Sequence, residues 1–329
     1  MILKMLEANN NRNCQPDILG VIQNINLDFE RSILEKRFQK NLVSKFEPKN
    51  IDERVSPAKI LPDVKTIFVV GCYYGNRRQK NGESIFSIHS LGEDYHITVR
   101  RVLESLALNL KREFPEMKYK ICVDTSPLID RAMAAHAMIG YYGKNCSIIN
   151  PDFGSFIYIG SLLTNYELSV LMDQSSKFKV QGSKFLHEAQ GTRHEALCMR
   201  HEARGTIHET LCTNCRLCLD ACPTGALEEP YSLNPSKCLS EITQKKGDVD
   251  EKYISKITTV YGCDICQNVC PHNKKLRKEI EYYDAPGIEE LLTIDTKTFK
   301  NRYGNCSFSW VGLKTLQRNA RIVAKNLKR

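Results

Sequence analysis

The sequence has no apolar run long enough to cross a membrane. Its longest apolar segment, residues 67–74, is far shorter than the roughly 20 residues that a membrane-spanning helix needs. The N-terminal end also has too short an apolar stretch for a secretory signal peptide, and no cleavage site follows it. These absences predict a cytoplasmic protein that has no membrane partner and whose spare thiols stay reduced.

Acidic residues are missing from the C-terminal end of the chain. Residues 301–329 contain seven Lys or Arg residues and no Asp or Glu, whereas the whole chain carries a formal charge of +9. The apolar residues of this segment recur at helical spacing, which predicts an amphipathic helix with most basic residues off its apolar stripe. Such a single-sign cluster is either a solvated helix face or a surface that contacts nucleic-acid phosphates.

Cysteine, in contrast, is plentiful, and eight of the 14 cysteines lie in or between two runs. The first run, residues 212–223, has the spacing C-x2-C-x2-C-x3-C-P that is typical of bacterial iron–sulfur proteins with two clusters. The second run, residues 263–271, ends in the same way but lacks one cysteine, because Val260 occupies its position. Cys238 lies between the runs and is the candidate for the missing ligand.

Eight thiolates suffice for two 4Fe-4S clusters, in which three thiolates of a run bind one cluster and the fourth reaches the other. Two zinc sites are the alternative, since C-x2-C pairs also bind tetrahedral zinc. Zinc would need only two cysteines from each run and would leave the others unexplained. The predicted ligand sets are Cys212, Cys215, Cys218 and Cys270 for one cluster, and Cys222, Cys238, Cys263 and Cys266 for the other.

Composition and periodicity divide the chain into five parts and predict an α+β fold. Residues 1–60 are expected to form a helix and a linker, and residues 61–180 a mixed α/β core. Residues 181–211 are predicted to be an inserted repetitive linker. Residues 212–275 form the predicted ferredoxin-like domain, and residues 276–329 the basic helical segment.

The inserted linker contains a seven-residue repeat in which His is followed by Glu. A metal site is one interpretation of its four histidines. In a helix, however, residues seven apart lie about 10 Å apart along the axis, which is too far to share one ion. We therefore expect a solvent-exposed linker. The four positions are His187, His194, His201 and His208.

Asp124 is the candidate catalytic residue of the core. The pattern predicts a strand at residues 119–123 that delivers Asp124, followed by a helix that starts at Ser126 and Pro127 and stops at Gly140. A strand end just before a helix N-terminus is a common place for active-site groups, although Asp124 would also serve there as a helix cap. The other predicted elements are helices over residues 28–46, after Asp94 and after residue 288, and strands at residues 66–74, 146–149 and 154–163.

The two cysteine runs, with Cys238 between them, resemble the epoxyqueuosine reductase family, which are cobalamin and iron–sulfur enzymes of the queuosine pathway. The resemblance extends along most of the chain from residue 50 to residue 325, apart from the repeat. The other segments that carry it are V-D-T-S-P-L-I-D-R at 123–131, G-Y-Y-G-K-N at 140–145, G-S-F-I-Y-I-G at 154–160, L-S-E-I-T-Q-K-K-G at 239–247, E-R-V-S-P at 53–57 and Q-R-N-A at 317–320.

This resemblance implies a nitroreductase-like, cobalamin-binding α/β core, followed by a ferredoxin-like lobe and the basic helical segment. The implied substrate is epoxyqueuosine in the anticodon stem-loop of a tRNA, and the implied proton donor is Asp124. Lys144 and Asn145 are expected to form hydrogen bonds to corrin amides or to the tRNA, and the same contacts are expected of Arg54 and of Asp264 near the cluster. An external one-electron reductant would refill the clusters, and we expect a monomer.

Two other functions are compatible with parts of the sequence. A ferredoxin-type electron carrier with a regulatory domain would use the cysteine runs but would need neither Asp124 nor the basic C-terminal end. A cobalamin-dependent reductive dehalogenase would share the architecture but would normally be exported, and the sequence shows no export signal.

Overall fold

A computed structural model describes residues 15–23, 25–167, 169, 212, 214–274 and 278–328. In these ranges the chain folds into a mixture of helices and sheets, as predicted. The strands are β1 (Ile18–Gln23), β2 (Thr66–Tyr73), β3 (Arg77–Gln79), β4 (Tyr119–Cys122), β5 (Tyr141–Tyr142), β6 (Ile148–Ile149), β7 (Ile157–Thr164) and β8 (Glu281–Tyr283). The predicted linker 181–211, with its histidine repeat, lies outside the described residues.

Eleven α-helices are described in the same ranges. They are α1 (Asp28–Gln39), α2 (Ile51–Arg54), α3 (Tyr95–Glu113), α4 (Asp130–His136), α5 (Leu217–Asp220), α6 (Leu239–Gln244), α7 (Glu251–Ile254), α8 (Ile265–Asn268), α9 (Ile288–Thr293), α10 (Thr296–Tyr303) and α11 (Leu313–Leu327). Short 3-10 helices lie at Pro57–Lys59, Ile88–Ser90, Pro235–Lys237, Pro271–Asn273 and Ser307–Val311.

A four-stranded antiparallel sheet in the order β1-β2-β7-β4 forms the centre of the core. All eight residues of β2 are buried, because helices cover both faces of the sheet. Helix α3 packs Val99, Leu103 and Leu106 against one face. Helix α4 packs against the other face through Ala132 and Met133. The result is a three-layer core.

A second hydrophobic core joins the cysteine-rich lobe to the C-terminal helices. Its members come from residues 85–91, from α6, from residues 257–261 and from the segment 285–323, and they include the fully buried Phe308 and Leu316. The parallel pairing of β3 with β8 adds a further connection between the core and this segment. The C-terminal helices are therefore part of the lobe's own packing.

The structure corrects the interpretation of the N-terminal part as only a helix and a linker. Strand β1 pairs along its whole length with β2, so residues before 61 belong to the core sheet. Helix α1 ends at Gln39, earlier than predicted, and its apolar residues Phe29 and Ile33 are exposed while Leu34 is buried. Periodicity alone did not reveal β1, because a six-residue apolar strand has no helical repeat to distinguish it.

The helix after Asp124 also begins later than predicted. Residues 125–129 form an irregular loop, and α4 starts at Asp130, with no side-chain cap on its N-terminus. Ser126 and Pro127 therefore belong to this loop and not to the helix. Elsewhere, the predicted helix after Asp94 is confirmed as α3, and the Asp94 side chain accepts a hydrogen bond from the backbone N–H of His96. None of the described helices is both long and apolar enough to span a membrane.

Candidate functional site

Asp124 lies just beyond the end of β4, and its side chain is 61% exposed. Its backbone has a φ of 44°, in the left-handed region that residues other than glycine rarely adopt. Its backbone N–H donates to Oδ2 of Asp130 over 3.0 Å, which holds this unusual conformation. The Asp124 carboxylate thus projects from a backbone bend that the Asp130 side chain stabilises by this hydrogen bond.

Three residues at the start of α3 surround the Asp124 carboxylate. The hydroxyl of Tyr95 donates to Oδ2 of Asp124 over 2.7 Å. Nε2 of His96 lies 3.4 Å from the same oxygen. On the other side of its ring, Nδ1 of His96 lies 2.7 Å from Oδ1 of Asp94. The sequence Asp94-Tyr95-His96 therefore places an imidazole between two carboxylates.

The electrostatics of this group favour a charged pair. Hydrogen bonding to Asp124, and then to Asp94, raises the pKa of His96 to about 9. The interaction with His96, followed by the Tyr95 hydrogen bond, lowers the pKa of Asp124 although burial opposes this. At neutral pH the proton of the pair therefore resides mainly on His96, and the two groups titrate as one unit.

Asp130 is a second carboxyl directly behind Asp124. Burial, and then the negative charge of Asp124, raise the pKa of Asp130 to about 7. Its Oδ1 is buried and has no hydrogen-bond partner among the described residues. As the first residue of α4, Asp130 can interact with the helix dipole, and its contact with the Asp124 backbone gives it a more direct role at the site.

Stacked aromatic rings hold the donor residues in place. The ring of Tyr95 stacks on His96 with centroids 4.1 Å apart and on Tyr158 at 5.1 Å, and Tyr158 stacks in turn on Tyr74 at 4.3 Å. Arg77 donates to the Tyr158 hydroxyl over 3.1 Å. This stack limits the rotamers available to Tyr95 and His96, so the group around Asp124 is preorganised.

A second set of aromatic residues joins three parts of the chain near the site. Nε1 of Trp310 donates to the Tyr261 hydroxyl over 2.8 Å. Phe46 packs edge-on against Trp310 with centroids 5.3 Å apart. Burial, and more weakly the charges of Asp94 and Asp124, raise the pKa of Tyr261. Phe46 and Trp310 are both about half exposed.

Four of the predicted cluster ligands line one cavity of about 190 Å³. They are Cys222, Cys238, Cys263 and Cys266. The cavity is bounded by Leu227 and Leu233 of the lobe and by Asn145 and Cys146 of the core. A pocket of thiolates with an apolar lining suits an iron–sulfur cluster.

The other four predicted ligands also lie near one another. Cys212 and Cys270 are buried together with Tyr141 and Ile149. Burial, and then the charges of Cys212 and Cys270, raise the pKa of Cys218 to about 11. Burial, and more weakly the charge of Cys215, also raises the pKa of Cys270. Within the described ranges no three His, Cys, Asp or Glu side chains could hold a single metal ion, and the assignment of these cysteines as ligands stays a prediction.

The β5–β6 hairpin brings Lys144 and Asn145 to the cysteine lobe. Nζ of Lys144 donates to the backbone carbonyl of Cys215 over 3.0 Å. The backbone N–H of Tyr231 donates to the carbonyl of Lys144 over 3.0 Å. Asn145 lines the cavity of the second ligand set. The turn between β5 and β6 therefore connects the core with the segments that carry both predicted ligand sets.

Arg54 and Asp264 are both buried and engaged within the chain. Nη1 of Arg54 lies 2.5 Å from Oε1 of Glu47, and its Nε is buried without a hydrogen-bond partner among the described residues. Asp264 accepts hydrogen bonds from the Ser87 hydroxyl and, over 2.7 Å, from the backbone N–H of Ile88. Asp264 therefore ties the lobe to the core beside the predicted ligand Cys263.

Sequence reasoning underrated several residues of this site. Tyr95 and His96 were visible in the Asp-Tyr-His triplet at the start of a predicted helix, but nothing in the local pattern indicated that they face Asp124. Tyr261 and Trp310 carried no signal, since single aromatic residues are usually core residues.

Comparison with protein families defines the class of protein first. A family model described as a 4Fe-4S double cluster binding domain matches residues 211–273. The chain is thus an iron–sulfur protein with a two-cluster domain. A second model, described as epoxyqueuosine reductase QueG, matches residues 54–125, which include Asp124.

Individual relatives extend the match over most of the chain. An epoxyqueuosine reductase of Bacillus cereus is 35% identical over 309 residues, which cover 88% of this chain and 71% of the relative. An epoxyqueuosine reductase crystallised with an epoxyqueuosine-modified tRNA-Tyr stem loop is 30% identical, with a TM-score of 0.77 over 99% of this chain and 80% of the other. The Bacillus subtilis enzyme, in a structure whose aspartate catalytic loop is swung out of the active site, is also 30% identical, with a TM-score of 0.78 over 99% and 81%. The chain belongs to the epoxyqueuosine reductase family, and it is an oxidoreductase.

Proposed function

We propose that this protein reduces epoxyqueuosine to queuosine in the anticodon of a tRNA. The observation that carries the proposal is that one chain combines the exposed Asp124 carboxylate, paired with a protonated His96, and two sets of four cysteines. The related structure with a modified tRNA stem loop supports the choice of substrate. A simple electron carrier would not need the acid group.

The reaction requires a source of two electrons. Converting an epoxide to an alkene takes two electrons and two protons and releases water. Each 4Fe-4S cluster transfers one electron at a time, and an external one-electron reductant would refill them. We infer that the core holds cobalamin, which when bound would supply a strongly reducing cobalt for this chemistry.

Two features of the described residues support a site for such a group. Nε of Arg54 is buried and lacks a hydrogen-bond partner among the described residues. The rings of Phe46, Trp310 and Tyr261 contact one another in turn and form a largely apolar margin. A large ring with polar amides on its periphery fits this combination of an apolar surface and an unused donor.

Proton delivery is the task of this chain's own residues. Asp124 is the exposed carboxyl and the group that we expect to reach the epoxide oxygen. Because its pKa is lowered, it must receive its proton from His96, whose pKa of about 9 keeps it charged at neutral pH. Tyr95 holds the carboxylate in position for this transfer.

The basic C-terminal helix is the proposed tRNA contact. Lys314, Arg321 and Lys325 are exposed on α11, and Lys328 is exposed directly after it. Arg318 is not part of this surface, since its guanidinium donates to the carbonyls of Lys245 and Gly247.

The sheet pairing and the two hydrophobic cores support a division of the chain into a core, a lobe and a basic segment. We propose a nitroreductase-like cobalamin-binding core that includes β1 in addition to residues 61–180. The ferredoxin-like lobe spans residues 212–275 and is packed against the basic segment 276–329. We infer that the protein acts as a monomer.

Single-turnover assays test the function directly. The anaerobically reconstituted protein, with cobalamin and a chemical one-electron reductant, should remove one oxygen from an epoxyqueuosine-containing anticodon stem-loop, as measured by mass spectrometry of the nucleoside. Omission of cobalamin is the matched control and should abolish conversion. Protein that carries both clusters and cobalamin and still leaves epoxyqueuosine unchanged would refute the proposal.

A further inference from the structure

The turn between β5 and β6 contains a buried polar group that the proposed function does not use. Asn145 lies in this turn and is only 6% exposed. Its Oδ1 accepts a hydrogen bond from the backbone N–H of Ser147 over 3.2 Å, which fixes the direction in which the amide faces. Its Nδ2 is buried and has no hydrogen-bond partner among the described residues. Because buried donors are nearly always satisfied, this amide calls for a partner beyond the described residues.

The backbone of the turn holds Asn145 rigidly. The N–H of Gly143 donates to the carbonyl of Ser147 over 2.8 Å, and the N–H of Cys146 donates to the carbonyl of Gly143 over 2.9 Å. A Cβ at position 143 would lie 2.9 Å from Oδ1 of Asn145 and 2.6 Å from Cδ1 of Ile149. Glycine is therefore required for this placement of the amide. The nearby carbonyl of Cys146 accepts from Arg131 over 2.6 Å and is also fixed.

The Asn145 side chain lines the cavity of the second ligand set. It shares this cavity with the four thiols of Cys222, Cys238, Cys263 and Cys266. An amide N–H is a donor, and the sulfur atoms of an iron–sulfur cluster are acceptors. Hydrogen bonds to these sulfurs are one of the factors that set the potential of a cluster.

We propose that Nδ2 of Asn145 donates a hydrogen bond to a sulfur of the 4Fe-4S cluster bound by these four cysteines and thereby raises its reduction potential. One-electron reduction adds a negative charge to the cluster, and a donor stabilises that charge more than it stabilises the oxidised form. The bond makes this cluster a better acceptor for electrons from the external reductant. The inference rests on the proposed cluster assignment and gives Asn145 a tuning role at the cluster, instead of a contact with the corrin or the tRNA.

A redox titration of the reconstituted protein, followed by electron paramagnetic resonance, tests this inference. Asn145→Leu removes the donor and nearly conserves the volume. At a fixed ambient potential, the reduced-to-oxidised ratio of one cluster should fall about tenfold, which corresponds to 59 mV for a one-electron couple. The other cluster should titrate as in the wild type, and the iron content should stay the same.

Two further variants keep the test decisive. Asn145→Asp retains the acceptor for Ser147 and loses the donor, so it should lower the same potential even if the leucine variant loses its cluster. Asn150→Ala is the matched control, since the amide of Asn150 in the same region is buried but already donates to the carbonyl of Ile139 over 2.7 Å. Its substitution should leave both potentials unchanged.

The outcomes separate this inference from the proposed function. Unchanged potentials in both Asn145 variants with full iron content would overturn it, as would an equal shift of both clusters or a wild-type protein without iron. A wild type that holds both clusters but does not reduce epoxyqueuosine would refute the proposed function alone. The titration does not depend on turnover.

Discussion

The Tyr95 hydroxyl donates a hydrogen bond to Oδ2 of Asp124 over 2.7 Å, although the two residues are 29 positions apart in the chain. One residue begins α3, and the other follows β4 on the neighbouring edge of the core. Their contact brings the Asp-Tyr-His triplet onto the left-handed bend at Asp124. The acid group therefore depends on two separate elements holding their relative positions.

Asp124→Asn should lower single-turnover conversion by a factor on the order of 10² to 10⁴, which is the usual contribution of a positioned general acid. The amide keeps the shape and can still accept from Tyr95, but it cannot deliver a proton. Iron content, cobalamin binding and tRNA binding should remain. Near-normal conversion by the fully loaded variant would remove Asp124 from the proton path and leave His96 as the next candidate.

His96 should make the stability of the protein depend on pH. Its pKa is raised from 6.5 to about 9, so its interactions with Asp124 and Asp94 stabilise the fold fully below pH 6.5, and this contribution is lost as the pH rises through 9. Urea unfolding at several pH values should show the wild type more stable than His96→Gln at pH 6 and equal to it above pH 9. Asp94→Asn should move this loss to lower pH. A stability difference that is constant from pH 6 to pH 10 would contradict the charged pair.

Cys238→Ser should reduce the iron content of the reconstituted protein from about eight atoms per chain toward four, because the second cysteine run has no other fourth ligand. Cys146→Ser is the matched control. Cys146 lines the same cavity but is outside both predicted ligand sets, so its loss should leave the iron content intact. Retention of both clusters in the Cys238 variant, measured by iron analysis and absorption spectroscopy, would show that the ligand set is wrong.

Charge reversal of Arg321 and Lys325 should weaken binding of a tRNA stem-loop. Each phosphate contact that is lost should reduce the slope of log affinity against log salt concentration by about 0.7 to 0.9. Arg318→Ala is the informative comparison, because its guanidinium is bonded to the lobe and its loss should lower stability without changing that slope. If the double reversal leaves the slope as it was, α11 has only a solvated face.

Asn319→Ala should destabilise the lobe by about 2–4 kcal/mol. Its fully buried amide donates to the carbonyls of Thr243 and Val260 over 2.7 Å each, and a buried acceptor left without a partner costs about 1–3 kcal/mol. Lys325→Ala on the exposed side of the same helix should change the free energy of unfolding by less than about 0.5 kcal/mol. Equal effects of the two substitutions in urea unfolding would contradict this account.

The sequence by itself determined the features that depend on local spacing. The cysteine runs predicted a two-cluster domain because each run holds two or three ligands of one cluster at the short spacings that such clusters use. The repeats of apolar residues predicted α3, α11 and β2, since a helix or strand that buries one or both faces carries that pattern along its own length. The triplet at Asp94 and the segment at Asp124 were likewise visible as separate motifs.

Only the tertiary structure decided which of these motifs meet. β1 joins the sheet through pairing with β2, and His96 lies between Asp94 and Asp124 because α3 packs across that sheet. Arg318 is bonded to the lobe, and the Asn145 turn reaches the thiol cavity, through contacts between segments more than 70 residues apart. Local patterns record which face of an element is buried, but they do not record its partner, because that depends on how whole elements pack together.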